Sequence, residues 1–193
     1  AVVAAVRQVR AHQHEPVRIL EVGAGTGGTS AGVLRALDAI VAADPGAIDE
    51  YAYTDLSKAF LLHAERTFRP GRPYVVPQRF DVSEPPGEQG VGLGRYDIVL
   101  AANVLHATPD MAKTMANVAA VLKPGGTLVL NEIASPSLYA HLTFGLLDGW
   151  WLATDPHLRF QGSPALPLTR WKTLLAANNF TQHNTNSKTH APG

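Results

Sequence analysis

Apolar residues recur along this chain in two alternating patterns, short continuous runs and longer stretches with helical spacing. The short runs predict five strands, at residues 17–22, 50–54, 74–80, 96–101 and 127–132. The stretches with helical spacing predict helices at residues 2–10, 29–40, 57–68, 110–122 and 168–178. Such alternation is typical of an α/β fold, because parallel strands need a crossover that a helix provides. We therefore predict a doubly wound, mostly parallel sheet.

Glycine and proline residues mark the places where this alternation is interrupted. Breaks at 44–46 and 69–71, a loop at 83–94 and a turn at 123–126 separate the predicted elements. Pro77 lies inside the third strand and favours an edge position, because it cannot donate a ladder hydrogen bond. Residues 137–152 depart from the alternation and predict an inserted amphipathic helix after strand five. The polar tail from Thr181 indicates only a weak further strand.

Composition narrows the classes of protein to which the chain can belong. Its 193 residues suit a single globular domain with a sizeable buried core. Sixteen basic and sixteen acidic residues give no net charge, which argues against binding to nucleic acid or to a membrane surface. No apolar run reaches the roughly 18 residues that a membrane span requires.

Residue usage also restricts the chemistry. The absence of cysteine excludes disulfides, thiolate metal sites and a cysteine nucleophile. The eight histidines lack metal-binding spacing, so no metal site is predicted. The chain has no initial methionine and no signal-peptide pattern, and we expect a cytoplasmic domain excised from a longer polypeptide.

The first predicted strand runs directly into a glycine-rich turn. Gly23, Gly25 and Gly27 allow a tight turn and a close approach of the backbone to a ligand. A helix that begins at about Thr29 directs its free amides towards the same place. With Gly28, the turn also matches the G-x-G-x-x-G pattern of dinucleotide-binding proteins. The turn by itself does not decide whether the ligand is a dinucleotide or another cofactor.

Further motifs follow at the ends of the later strands. In chain order they are Glu21-x-Gly-x-Gly-x-Gly27, Asp55, Asp81-Val82, Asn103-Val-Leu-His106 and Leu122-Lys-Pro-Gly-Gly126. Together they resemble a class I S-adenosylmethionine-dependent methyltransferase. Three longer segments, residues 102–108, 131–132 and 144–151, resemble the C-methyltransferase domain of modular polyketide synthases. The resemblance covers about residues 17–180 and implies a Rossmann-like sheet with a helical insert after strand five.

The expected cofactor site lies where the carboxyl ends of the strands meet. Gly23, Gly25 and Gly27 would line the amino-acid end of S-adenosylmethionine, with Glu21 beside its ammonium group. Asp55 would accept hydrogen bonds from the ribose hydroxyls, as the corresponding acid does in NAD proteins.

The same rim includes the residues after the third and fourth strands. Asp81 is expected at the adenine amine, with Val82 packed on the ring. Asn103 is expected to contact the cofactor or orient its loop. Helix capping or a loop salt bridge is the alternative for Glu21 and Asp81, and a turn-forming role is the alternative for Asn103.

Strands four and five should be neighbours, about 4.8 Å apart. His106 and Glu132 would then meet on the rim, with the carboxylate fixing the tautomer of an imidazole that accepts a proton. Deprotonation of the α-carbon of a β-ketoacyl thioester needs such a base, and the resemblance implies this same pair. The alternative for His106 is a rim histidine that packs on the cofactor.

The resemblance also implies the acceptor and the partners. The acceptor would be an acyl chain on the phosphopantetheine arm of an acyl carrier protein, beside neighbouring synthase domains. Tyr139, Phe144 and Trp151 would shape its pocket, although an aromatic stripe on a helix is more often part of a core. Only about sixteen residues precede strand one, where family members carry a helical lid.

Three other functions remain open. An O- or N-methyltransferase for small molecules would not need the His–Glu pair. A non-catalytic relic domain would have no reason to keep the glycines, Asp55, His106 and Glu132 together. A nicotinamide dehydrogenase is disfavoured, because the chain lacks a Tyr-x-x-x-Lys pair.

Overall fold

The computed structural model describes residues 1–13 and 15–181, and its centre is one sheet of five parallel strands. The strands are β1 (Val17–Val22), β2 (Ile48–Asp55), β3 (Val75–Arg79), β4 (Tyr96–Ala102) and β5 (Leu122–Asn131). Their order across the sheet is β3-β2-β1-β4-β5. All five predicted strands are therefore present, and Pro77 lies in the edge strand as predicted.

Six α-helices accompany the sheet in the described residues. They are α1 (Val2–His12), α2 (Gly28–Ala43), α3 (Lys58–Thr67), α4 (Met111–Val121), α5 (Leu138–Phe144) and α6 (Leu168–Ala177). The chain winds from β1 outwards through β2 to β3, and then crosses to β4 and β5 on the other side. This reversal lies between β1 and β4, which is where an α/β sheet opens a crevice for a ligand.

The two faces of the sheet bury different sets of side chains, because successive residues of a strand point to opposite faces. On one face, Leu20 and Val99 pack with the apolar sides of α4 and α6. On the other face, Ile19 and Ile98 pack with α1, α2 and α3. The doubly wound α/β architecture is thereby confirmed, and both core layers support the carboxyl edge of the central strands.

The predicted turn at 123–126 does not separate α4 from β5. Instead, β5 already begins at Leu122, opposite Tyr96, and the next paired residues are Ile98 and Thr127. The residues between Leu122 and Thr127 bulge out of the ladder, with Gly125 at φ +76°. A Pro-Gly-Gly sequence permits this irregularity, because glycine adopts positive φ without strain.

The insert after β5 is present, but its prediction as one helix over 137–152 is wrong. The helix α5 has only seven residues, and a separate 3-10 turn follows at Asp148–Trp151. Between them the backbone is extended at Leu147, with φ −95° and ψ 136°. Gly145 and Gly149 explain the break, since glycine costs about 1 kcal/mol in a helix interior.

Two further predictions concern a strand near the C-terminus and the lack of a membrane-spanning segment. The weak strand proposed from Thr181 falls outside the described residues except for Thr181 itself. Among the described residues, no helix has the length and the apolar character that crossing a membrane requires.

Candidate active site

The loop after β1 is a cradle formed by glycines with positive φ. Gly23, Gly25 and Gly27 have φ of +58°, +60° and +82°. A Cβ on Gly23 would lie 2.2 Å from Val104 Cγ2, and one on Gly27 would lie 2.3 Å from Phe68 Cε2. A Cβ on Gly25 would meet no atom within 4 Å. Two glycines therefore pack the loop against the protein, and the third leaves its outer side open.

Backbone and side-chain contacts with β2 hold this loop in place. Ala24 N donates to Thr54 O at 2.9 Å, and the Tyr53 hydroxyl donates to Gly25 O at 2.7 Å. Burial, with the charges of Glu21 and Asp55 nearby, raises the pKa of Tyr53 to about 12. Tyr53 therefore remains a neutral donor at physiological pH.

Helix α2 begins at Gly28 with no side-chain cap on its first amides. Free amides at a helix N-terminus carry partial positive charge, which favours an anionic group there. That these amides face the cofactor stays a prediction.

Glu21 lies deeper than its predicted role suggests. Its side chain is buried, and Oε2 accepts hydrogen bonds from Ser30 Oγ and the Tyr51 hydroxyl, both at 2.6 Å. Burial raises the pKa of this carboxyl above its ordinary value of 4.5, while the two hydrogen bonds oppose that shift. Glu21 thus ties β1 to β2 and α2 beneath the loop. Contact with a cofactor ammonium stays a prediction, for which Oε1 is the remaining oxygen.

Asp55 lies at the end of β2, as predicted, and holds the glycine loop. Its Oδ2 accepts from Gly25 N at 2.9 Å, and its Oδ1 accepts from Ser57 N at 2.8 Å. Each carboxylate oxygen has a second lone pair. The residue can therefore still accept the ribose hydroxyls assigned to it, and that role stays a prediction.

Asp81 and Val82 lie in the turn after β3. Asp81 Oδ1 accepts from Ser83 N at 2.9 Å and from Ser83 Oγ at 2.6 Å. Gln89 bonds both the amide and the carbonyl of Asp81, each at 2.8 Å. Val82 is buried in the core layer, and its carbonyl accepts from Asn117 Nδ2 at 2.9 Å. The turn is rigid, and its predicted contacts with adenine stay predictions.

Asn103 begins the turn after β4 in the left-handed region, with φ +53°. Its amide donates to Asn131 O at 2.8 Å, which joins the ends of β4 and β5. Asparagine adopts this conformation more readily than most residues. The geometry therefore supports the turn-forming interpretation, and direct contact with a cofactor stays a prediction.

The structure brings His106 and Glu132 together, as the strand order predicts. Glu132 follows β5, and its Oε2 is hydrogen-bonded to His106 Nδ1. Its Oε1 accepts from Val104 N and Leu105 N, each at 2.9 Å. The side chains are only 5% and 2% exposed for His106 and Glu132, respectively. Three hydrogen-bond partners and burial therefore fix the position of the Glu132 carboxylate.

This contact determines which nitrogen of His106 can react. Because Nδ1 is bonded to a carboxylate, it carries the proton in the neutral ring. Nε2 has no hydrogen-bond partner among the described residues and is left as a proton acceptor. The turn is also close to the glycine loop, since Val104 packs directly on Gly23. The turn that carries His106 therefore lies next to the cradle.

Sequence reasoning missed a buried ion pair behind the His106 turn. Arg159 bonds the carbonyl of His106 and, at 2.8 Å, the carbonyl of Thr108. Its Nε also bonds Asp155 Oδ1, and both residues are buried. The only signal in the sequence is a pair of opposite charges four residues apart, which is common on protein surfaces.

Sequence reasoning also missed Trp150, which is buried beside His106. The two rings are edge-to-face with centroids 6.3 Å apart. Phe144 stacks on Trp150 at 6.2 Å, and the indole Nε1 donates to His141 Nδ1 at 3.1 Å. Trp150 thus packs against the imidazole and joins the insert to the His106 turn.

The three residues predicted to line a substrate pocket lie on the insert and are exposed. Tyr139 is 75% exposed, Trp151 59% and Phe144 47%, so the alternative of a core stripe does not describe them. An open groove of about 400 Å³ lies on the insert. Of the three residues, Trp151 lines that groove, beside His141 and Leu146. Binding of an acyl chain stays a prediction.

The described residues contain no group of three or more histidine, aspartate or glutamate side chains arranged to hold a metal ion. The open side of Gly25, the uncapped start of α2 and the lone pairs of Asp55 fit a ligand with an anionic end and a ribose. These are the features that S-adenosylmethionine presents.

Comparisons with known proteins agree with this geometry. Residues 20–128 match the family described as "Methyltransferase domain". The polyketide synthase PksR of Bacillus subtilis (strain 168) is 54% identical over 164 residues, which are 85% of this chain and 6% of that protein. The chain therefore spans a small part of this curated relative.

Two solved structures extend the comparison. The CurJ carbon methyltransferase is 39% identical with a TM-score of 0.82, over 91% of this chain and 44% of that one. The trans-methyltransferase CalH, solved in complex with SAH, is 38% identical with a TM-score of 0.73, over 84% of this chain and 44% of that one. The chain thus spans less than half of each.

Proposed function

Since this chain belongs to the methyltransferase domain family, with S-adenosylmethionine as its cofactor, we propose that it methylates the α-carbon of a β-ketoacyl thioester. The thioester would be carried on the phosphopantetheine arm of an acyl carrier protein. The observation that supports this most is the His106–Glu132 pair beside the glycine cradle. A non-catalytic relic domain would have no need for a buried histidine whose ring is oriented by a carboxylate. The similarity to a carbon methyltransferase and to a polyketide synthase favours carbon as the acceptor atom.

The cradle would hold the cofactor through the backbone of Gly23, Gly25 and Gly27, the start of α2 and the carboxylate of Asp55. When bound, S-adenosylmethionine supplies the methyl group on a sulfonium, which makes that methyl electrophilic. The protein contributes position and a base.

His106 would supply that base at Nε2. An α-carbon between a ketone and a thioester has an acidic proton, which Nε2 accepts while Glu132 keeps the proton on Nδ1. The ring is then an imidazolium, and the adjacent carboxylate stabilises its charge. The hydrogen bond to Glu132 and the burial of both side chains restrict the orientation of the ring.

The aromatic residues near His106 support the same assignment. Trp150 presents an apolar wall, and the exposed Tyr139, Phe144 and Trp151 lie along the insert where an acyl arm would arrive.

We further propose that the chain acts as one domain, residues 1–193, beside other synthase domains in the cytoplasm. The polyketide synthase relative, of which the chain matches only 6%, supports such neighbours.

The test is intact-protein mass spectrometry of a β-ketoacyl carrier protein incubated with this domain and S-adenosylmethionine. We expect a gain of one methylene on the acyl arm, located on carbon by fragmentation. The same gain should be absent with His106→Ala and present with His12→Ala, a change on the exposed end of α1. A methyl on oxygen or nitrogen would instead identify the rival class of methyltransferase. No gain, with S-adenosylhomocysteine still bound, would contradict the proposed acceptor.

A further inference from the structure

The turn that carries His106 is hydrogen-bonded to a second segment of the chain, residues 154–159. Thr154 N and Thr154 Oγ1 donate to Pro109 O at 2.8 and 3.0 Å. Asp155 Oδ2 accepts from Met111 N at 2.8 Å, at the first residue of α4. Arg159 then bonds the carbonyls of His106 and Thr108. This segment therefore contacts the turn and the first residue of α4 at four points.

Arg159 is the centre of this contact. Nη1 donates to the carbonyls of both His106 and Pro164, the latter at 2.9 Å, and Nη2 donates to Thr108 O. Its Nε bonds Asp155, so every nitrogen of the guanidinium is occupied. The side chain of Arg159 is 2% exposed and that of Asp155 10%. A planar guanidinium can bond in several directions at once, which a lysine ammonium on a flexible stem cannot reproduce.

His106 is consequently fixed at two points. Glu132 holds the ring at Nδ1, while Arg159 holds the backbone of the same residue at its carbonyl. Together, the two contacts anchor both the ring and the backbone of His106. In active sites, a displacement of about 1 Å costs on the order of a hundredfold in rate.

We propose that Arg159, oriented by Asp155, is a positioning residue that sets the location of His106 for proton transfer. Neither residue touches the reacting atoms, and the inference rests on the function proposed above for His106. The hydrogen bonds that hold the cofactor cradle come from β2, and Arg159 makes none of them. Loss of Arg159 therefore changes the rate of the chemical step and leaves cofactor binding intact.

The test compares Arg159→Lys and Asp155→Asn with a matched control, Asp97→Asn. Asp97 is also a buried carboxylate that accepts from a backbone amide, Arg18 N at 2.8 Å, and from a cation, Lys123 Nζ at 2.7 Å. It lies near the start of β4, at the opposite edge of the sheet. All three variants lose stability, so rates are expressed per molecule able to bind S-adenosylhomocysteine.

Two readouts separate positioning from stability. We expect kcat to fall roughly ten- to a hundredfold in Arg159→Lys and Asp155→Asn, with KM and cofactor Kd within about threefold. Asp97→Asn should retain the wild-type kcat. In the free protein, the downfield proton signal of His106 Nδ1–H, assigned by its loss in His106→Gln, should persist in Asp97→Asn and broaden or vanish in the other two.

The proton signal is independent of any acceptor, which distinguishes the two proposals. If the wild type shows no methylation of the carrier protein, the proposed acceptor is wrong, but loss of the signal in Arg159→Lys still supports positioning. If Arg159→Lys and Asp155→Asn both fold and retain the signal and the wild-type kcat, positioning by Arg159 is refuted. Should Arg159→Lys fail to fold, Asp155→Asn decides in the same way.

Discussion

The glycine loop after β1 and the turn after β4 lie side by side at the carboxyl edge of the sheet, but different kinds of contact shape them. The glycine loop depends on its own backbone, since Gly23, Gly25 and Gly27 all have positive φ. The His106 turn depends on distant side chains, Glu132 and Arg159. The conformation of the glycine loop is thus set by residues that follow one another in the sequence, although contacts with β2 hold the loop in place. The proposed base is positioned by side chains from distant segments. Substitutions in the two regions should consequently affect different properties, catalysis in the His106 turn and stability or cofactor binding in the glycine loop.

The largest expected effect is on catalysis, in the His106 turn. His106→Ala should lower the rate of methyl transfer by roughly 10²- to 10⁴-fold, the usual contribution of a general base. Cofactor affinity should stay within a few-fold, because the cradle is held by β2. Single-turnover assays and calorimetric titration with S-adenosylhomocysteine measure the two quantities. Near-wild-type turnover would exclude His106 as the base.

The next effect is on folding, in the glycine loop. Gly23→Ala should lower the free energy of unfolding by roughly 2–4 kcal/mol, since it adds positive-φ strain to a clash with Val104. Gly25→Ala is the matched control, because it has a similar φ and open space around its Cβ. That variant should lose only about 1–2 kcal/mol from strain and should weaken cofactor binding. Equal losses of stability, measured by urea unfolding, would contradict the packing role of Gly23.

A smaller effect concerns cofactor affinity. Asp55→Asn removes the charge and one of the two oxygens that accept from Gly25 N and Ser57 N. We expect S-adenosylhomocysteine to bind about tenfold more weakly, as for the loss of one charged hydrogen bond, with kcat unchanged at saturation. Asp49→Asn, in an exposed ion pair with Arg18, is the control. Unchanged affinity would remove the ribose assignment of Asp55.

The smallest effect concerns Glu21 and pH. Its pKa is raised in the folded state, so the folded protein binds more protons than the unfolded chain above about pH 4.5. The contribution of Glu21 to the free energy of unfolding is present in full below that pH. It decreases as the pH rises towards the pKa that the carboxyl has in the folded state. Glu21→Gln keeps an oxygen that can accept from Ser30 and Tyr51, and it should remove this decline.

The pH dependence of urea unfolding tests that expectation. Parallel curves for the wild type and Glu21→Gln would show that burial does not raise this pKa. A titration with S-adenosylhomocysteine in the same variant separates the two roles of Glu21. Weaker binding would support contact with the cofactor ammonium, and equal binding would leave only the bond between β1, β2 and α2.

The sequence predicted the elements whose signals are local. The strand before Gly23, the edge position of Pro77 and the acidic end of β2 at Asp55 all appear where the pattern placed them. The predicted helix at 137–152 failed, because its apolar spacing continues through Gly145 and Gly149 while the backbone does not. Periodicity records which side chains are apolar, and it does not record where glycine allows the chain to turn.

By itself, the sequence determined the parallel α/β order, the glycine turn and the meeting of His106 with Glu132, because strand order places neighbouring strand ends together. Only the tertiary structure decided how these residues are held. Glu21 lies beneath the loop and bonds Ser30 and Tyr51, and Arg159 reaches the carbonyl of a residue 53 positions earlier in the chain. Such contacts join distant segments and leave no period or motif, since they depend on which side chains the folded core brings within hydrogen-bond distance.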